Sequence, residues 1–184
     1  ATTEIYTLSL HDALPVFDKG RLDVANPEIS LANVHEYVGQ EIGQTDWLDI
    51  DQMQVNVFGE VTRWPTWMHN DRDRAARESP YGGTIIHGFF LVSLVTYFVR
   101  TGGVNPADGA YSLNYGMDKV RILEPVVIGD GIRVRDRIAL MDVKDKENGK
   151  RLLKTAHRIE VDGLSKIAAY VEYLDRKSVG RERV

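Results

Sequence analysis

The chain has no cysteine among its 184 residues, so disulfides and thiolate metal sites are excluded, a pattern that fits a reducing cytoplasm. It also lacks an excess of either charge: 23 Lys and Arg stand against 27 Asp and Glu, net −4, with the basic residues scattered. Without a basic block there is no electrostatic footprint for nucleic acid or an anionic membrane surface. No apolar run reaches the roughly 20 residues that span a bilayer. The longest, Ile85 to Val99, is broken by His87, Gly88, Ser93 and Thr96 and reads as a core helix. Residues 1–16 have neither a basic flank nor a continuous apolar segment, so no secretory leader is expected there. His11, His35 and His157 have no partners at metal-ligand spacing, so neither metal nor cofactor is expected. What is present is one domain's worth of sequence, enough to bury about two thirds of its unfolded surface.

Both ends read as foreign to that domain. Tyr6 to Pro15 (YTLSLHDALP) and Asp175 to Val184 (DRKSVGRERV) resemble a DNA-sequencing adapter translated from opposite strands. The second segment is also too polar to offset its ordering entropy by burial. The expected organisation is therefore a non-native extension over 1–16, a single domain over 17–174, and a non-native disordered tail over 175–184. Deleting both ends is expected to leave the melting temperature nearly unchanged.

Within the body, Ser30 to Val38 reads as a short helix and Trp47 to Ile50 as a short strand. Asp51 with Gln54 three positions on has the form of a capping box, opening a helix to about Val61. In that helix Val57, Phe58 and Val61 form the expected core-facing stripe. Asp71 or Asp73 is placed to cap a polar helix ending near Glu78, before Ser79-Pro80 breaks it. From Thr84 to Arg100 no polar face exists, so that helix should be wrapped on nearly all sides. The wrapping comes from the second half. Ile132, Val134, Ile138 and Leu140 alternate with Arg133, Arg135, Arg137 and Ala139, with Asp136 the one break on the inner face. Leu153 to Val161, Lys166 to Tyr173 and Asn114 to Leu123 are further strands. The pattern implies an α+β fold, a curved antiparallel sheet around a long apolar central helix.

The most informative stretch is His69 to Thr96, HNDRDRAARESPYGGTIIHGFFLVSLVT, which joins an isolated histidine to a Gly-Gly turn and the apolar helix. His69, Asp71, Gly82-Gly83-Thr84 and His87-Gly88, followed by Asn114-Tyr115-Gly116, Asp118 to Arg121, Pro125 and Gly129-Asp130, carry a resemblance. Over about Val38 to Tyr173 the chain resembles the MaoC-like dehydratase family of the hotdog fold, which includes (R)-specific enoyl-CoA hydratases and the nodulation protein N group.

The resemblance implies reversible addition of water to a trans-2-enoyl thioester carried on CoA or an acyl carrier, in a homodimer whose sheets join edge to edge. It implies catalytic roles for the His69 imidazole on the water, the Gly88 amide on the thioester oxygen, and the Thr96 hydroxyl. Trp64, Asp71, Gly83, Thr84 and His87 fall at substrate-binding positions of the pattern. One position departs from it: Trp64 stands where the family has the aspartate that shares the water with the histidine, and an indole cannot accept a proton. Asp71 could orient His69 or simply cap its helix, and His69 could act alone as base near neutral pH. Each residue also has a plainer reading. His87 could be a packed side chain, the glycines could permit close backbone approach, and Thr96 could bond its own helix. Two other functions stay open: a hotdog thioesterase, against which the absence of a carboxylate between Thr84 and Arg100 counts, and a non-catalytic acyl-thioester-binding protein.

Overall fold

The computed structural model describes residues 25–26, 28–109 and 111–178. In chain order the elements are β1 (Ala25–Asn26), β2 (Glu41–Gln44), β3 (Leu48–Ile50), α1 (Gln52–Val61), α2 (Trp67–Asn70), α3 (Arg72–Glu78), α4 (Gly88–Ser93), α5 (Val95–Thr101), β4 (Asn105–Pro106), β5 (Tyr111–Ile122), β6 (Ile132–Asp145), β7 (Arg151–Val161) and β8 (Ala169–Ser178). The main sheet has the order β2-β6-β7-β8-β5, and β3 also pairs with β6. All of these pairings are antiparallel. The architecture is the expected α+β one.

Strand alternation decides which face is buried. In β6 Val134, Asp136, Ile138 and Leu140 point inward and are buried, while the arginines between them face out. Two of those arginines pair across the sheet, Arg135 with Glu160 and Arg137 with Glu41, each at 2.7 Å. Leu91, Val95 and Phe98 from α4 and α5 pack on Val134, Ile138, Ile159 and Val171 from the inner face. Each such side chain contributes about 1.5–3 kcal/mol when fully buried.

Four expectations need correction. The central helix starts at Gly88, not Thr84, because Thr84 to Ile86 is drawn against the chain before β6: Ile86 N–H donates to Val126 O at 2.9 Å and Ile128 N–H to Thr84 O at 2.9 Å. It is also split at Leu94, next to two hydroxyls spent on helix carbonyls, Ser93 Oγ on Phe90 O at 2.7 Å and Thr96 Oγ1 on Ser93 O at 3.1 Å. Such back-bonding bends helices. Nor is the helix wrapped all round, since Phe89 is 70% exposed.

The second correction concerns α1, where Val55 and Gly59 are the buried residues, Phe58 is half-buried, and Val57 and Val61 face solvent. Apolarity alone suggested the other stripe; the face was chosen by close approach to α2, where a β-carbon at Gly59 would lie 2.9 Å from Asn70 Oδ1.

Third, the helix expected over Ser30 to Val38 is a single 3-10 turn at Val34–Tyr37. Ser30 and Asn33 turn the chain before it by bonding each other's backbone and side chains. The fourth correction is to the tail. β8 runs through residues 175–178, and Asp175 is buried, accepting from Ser112 Oγ at 2.7 and 2.8 Å and pairing with Lys177 at 2.7 Å. Residues 1–16 and 179–184 lie outside the described residues. Among the described residues no helix is long and apolar enough to cross a membrane.

Candidate active site

The site is assembled where α1, α2 and the segment entering α4 meet. Asp51 caps α1 as the sequence implied: its carboxylate accepts from Gln54 N–H at 3.0 Å and the Gln54 side chain accepts from Asp51 N–H at 2.8 Å. That cap fixes Gln52 one residue into the helix, and Gln52 does three jobs. Its amide nitrogen donates to His69 O at 2.7 Å and to Asn56 Oδ1 at 2.8 Å, and its oxygen accepts from Thr84 Oγ1. Asn70 Nδ2 adds a bond to Asn56 Oδ1 at 3.2 Å. This amide network ties α1 to α2 and to the Gly82-Gly83-Thr84 turn. Gln52, Asn56 and Asn70 escaped the sequence reading; for Gln52 and Asn56 the only signal was their polarity on the face of α1 that was expected to point outward.

His69, half-buried on α2, is held from the other side as well. Ile85 N–H donates to Met68 O at 3.1 Å, and His69 Nδ1 lies 2.8 Å from Ile85 O. A carbonyl can only accept, so Nδ1 carries the proton and Nε2 is left as the basic nitrogen of the neutral ring. A backbone carbonyl thus performs the orienting task usually given to a carboxylate. Among the described residues no carboxylate bonds this ring.

The His87 ring stacks on His69 with centroids 3.8 Å apart. Phe58 packs on His87 at 5.3 Å and stacks with Phe90 at 5.0 Å, completing an aromatic column. His87 is 6% exposed, and its Nε2 has no hydrogen-bond partner among the described residues. Burial, reinforced by the neighbouring His69, pushes its pKa down to about 4, so the ring is neutral at pH 7. Gly88 follows at the first position of α4, where its amide has no intrahelical acceptor. A β-carbon there would come within 2.4 Å of Ile122 Cδ1, so glycine lets the helix start close to β5.

The other sequence-derived residues are placed as follows. Thr84 is buried and bonded to Gln52, and Gly83 packs against Val127. Asp71 caps α3, its carboxylate accepting from Arg74 N–H at 2.9 Å. Trp64 sits in the loop after α1, 64% exposed, next to Arg63 at φ +60°. Thr96 lies on α5 with its hydroxyl donating to Ser93 O, and among the described residues no bond joins it to the His69 surroundings. A cleft of about 280 Å³ opens at the β7–β8 turn, but none of these residues lines it, and its Arg135 is already paired with Glu160. Among the described residues no cluster suited to a metal ion occurs.

Residues 33–162 match the model of the MaoC-like domain family. Nodulation protein N of Rhizobium leguminosarum bv. viciae is 37% identical over 135 residues, covering 73% of this chain and 81% of that protein. The 3-hydroxyacyl-thioester dehydratase Z of Mycobacterium tuberculosis (strain ATCC 25618 / H37Rv) is 37% identical over 153 residues, 80% of this chain and 95% of that one. Among solved structures, the unliganded R-hydratase PhaJ1 from Pseudomonas aeruginosa superposes with a TM-score of 0.63 at 18% identity, covering 85% of this chain and 93% of that chain. With the sheet, the central helix and the His-Gly entry to it already described, these matches establish that the chain belongs to the MaoC-like dehydratase family and has its hotdog fold.

Proposed function

We propose that this protein is a hydratase/dehydratase that adds water reversibly to a trans-2-enoyl thioester of CoA or an acyl carrier, with His69 as its acid-base group in the absence of an aspartate. The observation that carries this reading is the Nδ1 bond of His69 to the Ile85 carbonyl, which leaves Nε2 free to take a proton. In hydration, Nε2 accepts a proton from water as the water oxygen bonds to C3. The C2–C3 π electrons move to the thioester oxygen, whose developing charge the Gly88 amide holds. The imidazolium then returns the proton to C2 and the carbonyl reforms. No redox equivalent or metal is needed.

The same reading makes the protein a homodimer. β5 is an edge strand, and Phe89, Tyr115, Met117 and Ile122 are exposed beside it or on it, the kind of apolar edge a second copy covers. A cysteine-free chain handling thioesters suits a reducing cytoplasm. Trp64 favours a second reading, an acyl-thioester-binding protein without turnover, because no carboxylate takes the aspartate's place. The thioesterase reading lacks its nucleophile or base, since α4 and α5 contain no Asp or Glu. Crotonyl-CoA separates the three. Loss of enone absorbance supports hydration, free thiol supports hydrolysis, and saturable binding without turnover supports the binding protein. His69→Ala is expected to slow hydration about 100-fold or more; equal rates for this variant and the wild type refute the role of His69.

A further inference from the structure

His87 is a second imidazole in the site that the mechanism above leaves unused. Three observations set it apart from an ordinary packed histidine. Its ring lies flat against the base, with centroids 3.8 Å apart. It is 6% exposed, yet Nε2 has no partner among the described residues. It also directly precedes Gly88, whose amide is the proposed donor to the thioester oxygen. A buried polar nitrogen with nothing to bond is unfavourable, and such a group in a folded protein calls for a ligand that completes it.

We infer that His87, through Nε2–H, is a second hydrogen-bond donor to the thioester oxygen, acting beside the Gly88 amide in the hydration proposed above. The inference rests on that hydratase reading and adds a catalytic residue to it. Neutrality suits the task. A neutral imidazole N–H is a weak acid, so it supports a developing enolate oxygen by hydrogen bonding without giving up its proton. The depressed pKa of His87 keeps the ring in that form at neutral pH. Neutrality also avoids a clash of charges, because His69 becomes an imidazolium during the reaction while stacked on this ring. Among the described residues the rings against His87 are those of His69 from α2 and the uncharged Phe58 from α1, behind which Phe90 of α4 stacks on Phe58. The proton removed from water therefore resides on His69 alone, returns from there to C2, and leaves His87 unchanged.

Two variants separate the donor from the ring. His87→Phe keeps the stack and removes the donor; His87→Gln loses the stack but restores an N–H near the Nε2 position. Crotonyl-CoA hydration by His87→Phe is expected to fall about 100-fold in kcat with little change in KM, the typical effect of deleting one oxyanion donor. His87→Gln is expected to recover at least part of the loss. The second readout is the thioester carbonyl stretch of bound crotonyl-CoA, by difference infrared spectroscopy. It should lie at lower frequency in wild type than in His87→Phe, a change that a purely packing role would not produce. Wild-type rate and an unshifted carbonyl band in His87→Phe overturn the inference and leave the hydratase reading intact. Binding with a His87-dependent carbonyl shift but no turnover keeps the donor and overturns the hydratase reading. A wild type that neither binds nor hydrates the thioester overturns both.

Discussion

Two histidine pairs in this molecule show how differently the same side chain is used. His157, fully buried between β6 and β8, has both nitrogens satisfied: Nδ1 is 2.5 Å from Asp136 Oδ2, and Nε2 is 2.8 Å from Thr155 Oγ1. It holds the carboxylate that the site histidine would be expected to have. His69 has instead a carbonyl on one side, a neutral ring on its face, and a basic nitrogen without a partner among the described residues. Satisfied polar groups in a low-dielectric core specify packing, whereas unsatisfied ones at a site wait for substrate. Asp136, the single irregularity on the inner face of its strand, is thus structural, whereas among the described residues no carboxylate bonds the His69 ring.

The contrast can be broken most forcefully from the core. Asp136→Ala leaves a buried imidazole without its counter-group and is expected to cost roughly 3–5 kcal/mol in urea unfolding, the usual penalty for breaking a buried pair, with kcat per folded molecule unchanged. A loss below 1 kcal/mol would show that the core pair contributes little. Next comes Trp64→Asp, which puts a carboxylate at the position where the family resemblance implies one. An increase of about 100-fold in crotonyl-CoA hydration is expected from general acid-base help; no increase would mean that the attacking water is not shared with this position.

The smallest effect is in pH. His87 has a folded pKa of about 4, below its usual 6.5, so the unfolded chain binds the extra proton first. Its contribution is therefore complete above about pH 6.5 and lost as pH falls toward 4, a change on the order of 1–3 kcal/mol. Burial shifts Asp136 the other way, upward from the ordinary carboxylate range. A raised folded pKa favours the fold at low pH, and that contribution is lost as pH rises through the folded value. Acid unfolding of His87→Phe should lack the loss between pH 6.5 and 4. If its profile follows that of wild type, His87 is not the group responsible.

How much was legible varies with the range of the interaction. The α1 capping box, a cap for α3 at Asp71 or Asp73, and the alternation of β6 were all readable, because each depends on residues within a few positions of one another. So was the His69 to Gly88 motif, because the family spacing is linear. The Gln52-Asn56-Asn70 network was not, since it joins α1 to α2 and to Thr84 across 32 positions. The buried stripe of α1 was misread for the same reason: apolarity marks Val57 and Val61, and only docking against α2 reveals Val55 and Gly59. In β8 the low apolar content of residues 175–178 concealed a packed end in which Asp175, Lys177 and Ser112 satisfy one another.

By itself the sequence determined most of the local elements, the α+β class and the family, because each is written in short-range periodicity or in a linear motif. Only the tertiary structure decided which nitrogen of His69 is basic, that His87 lies against it with a nitrogen unpartnered among the described residues, and that Asp136 serves His157. Those outcomes depend on hydrogen bonds and ring contacts between segments distant in the chain, and burial, which sets their strength, exists only once those segments have packed.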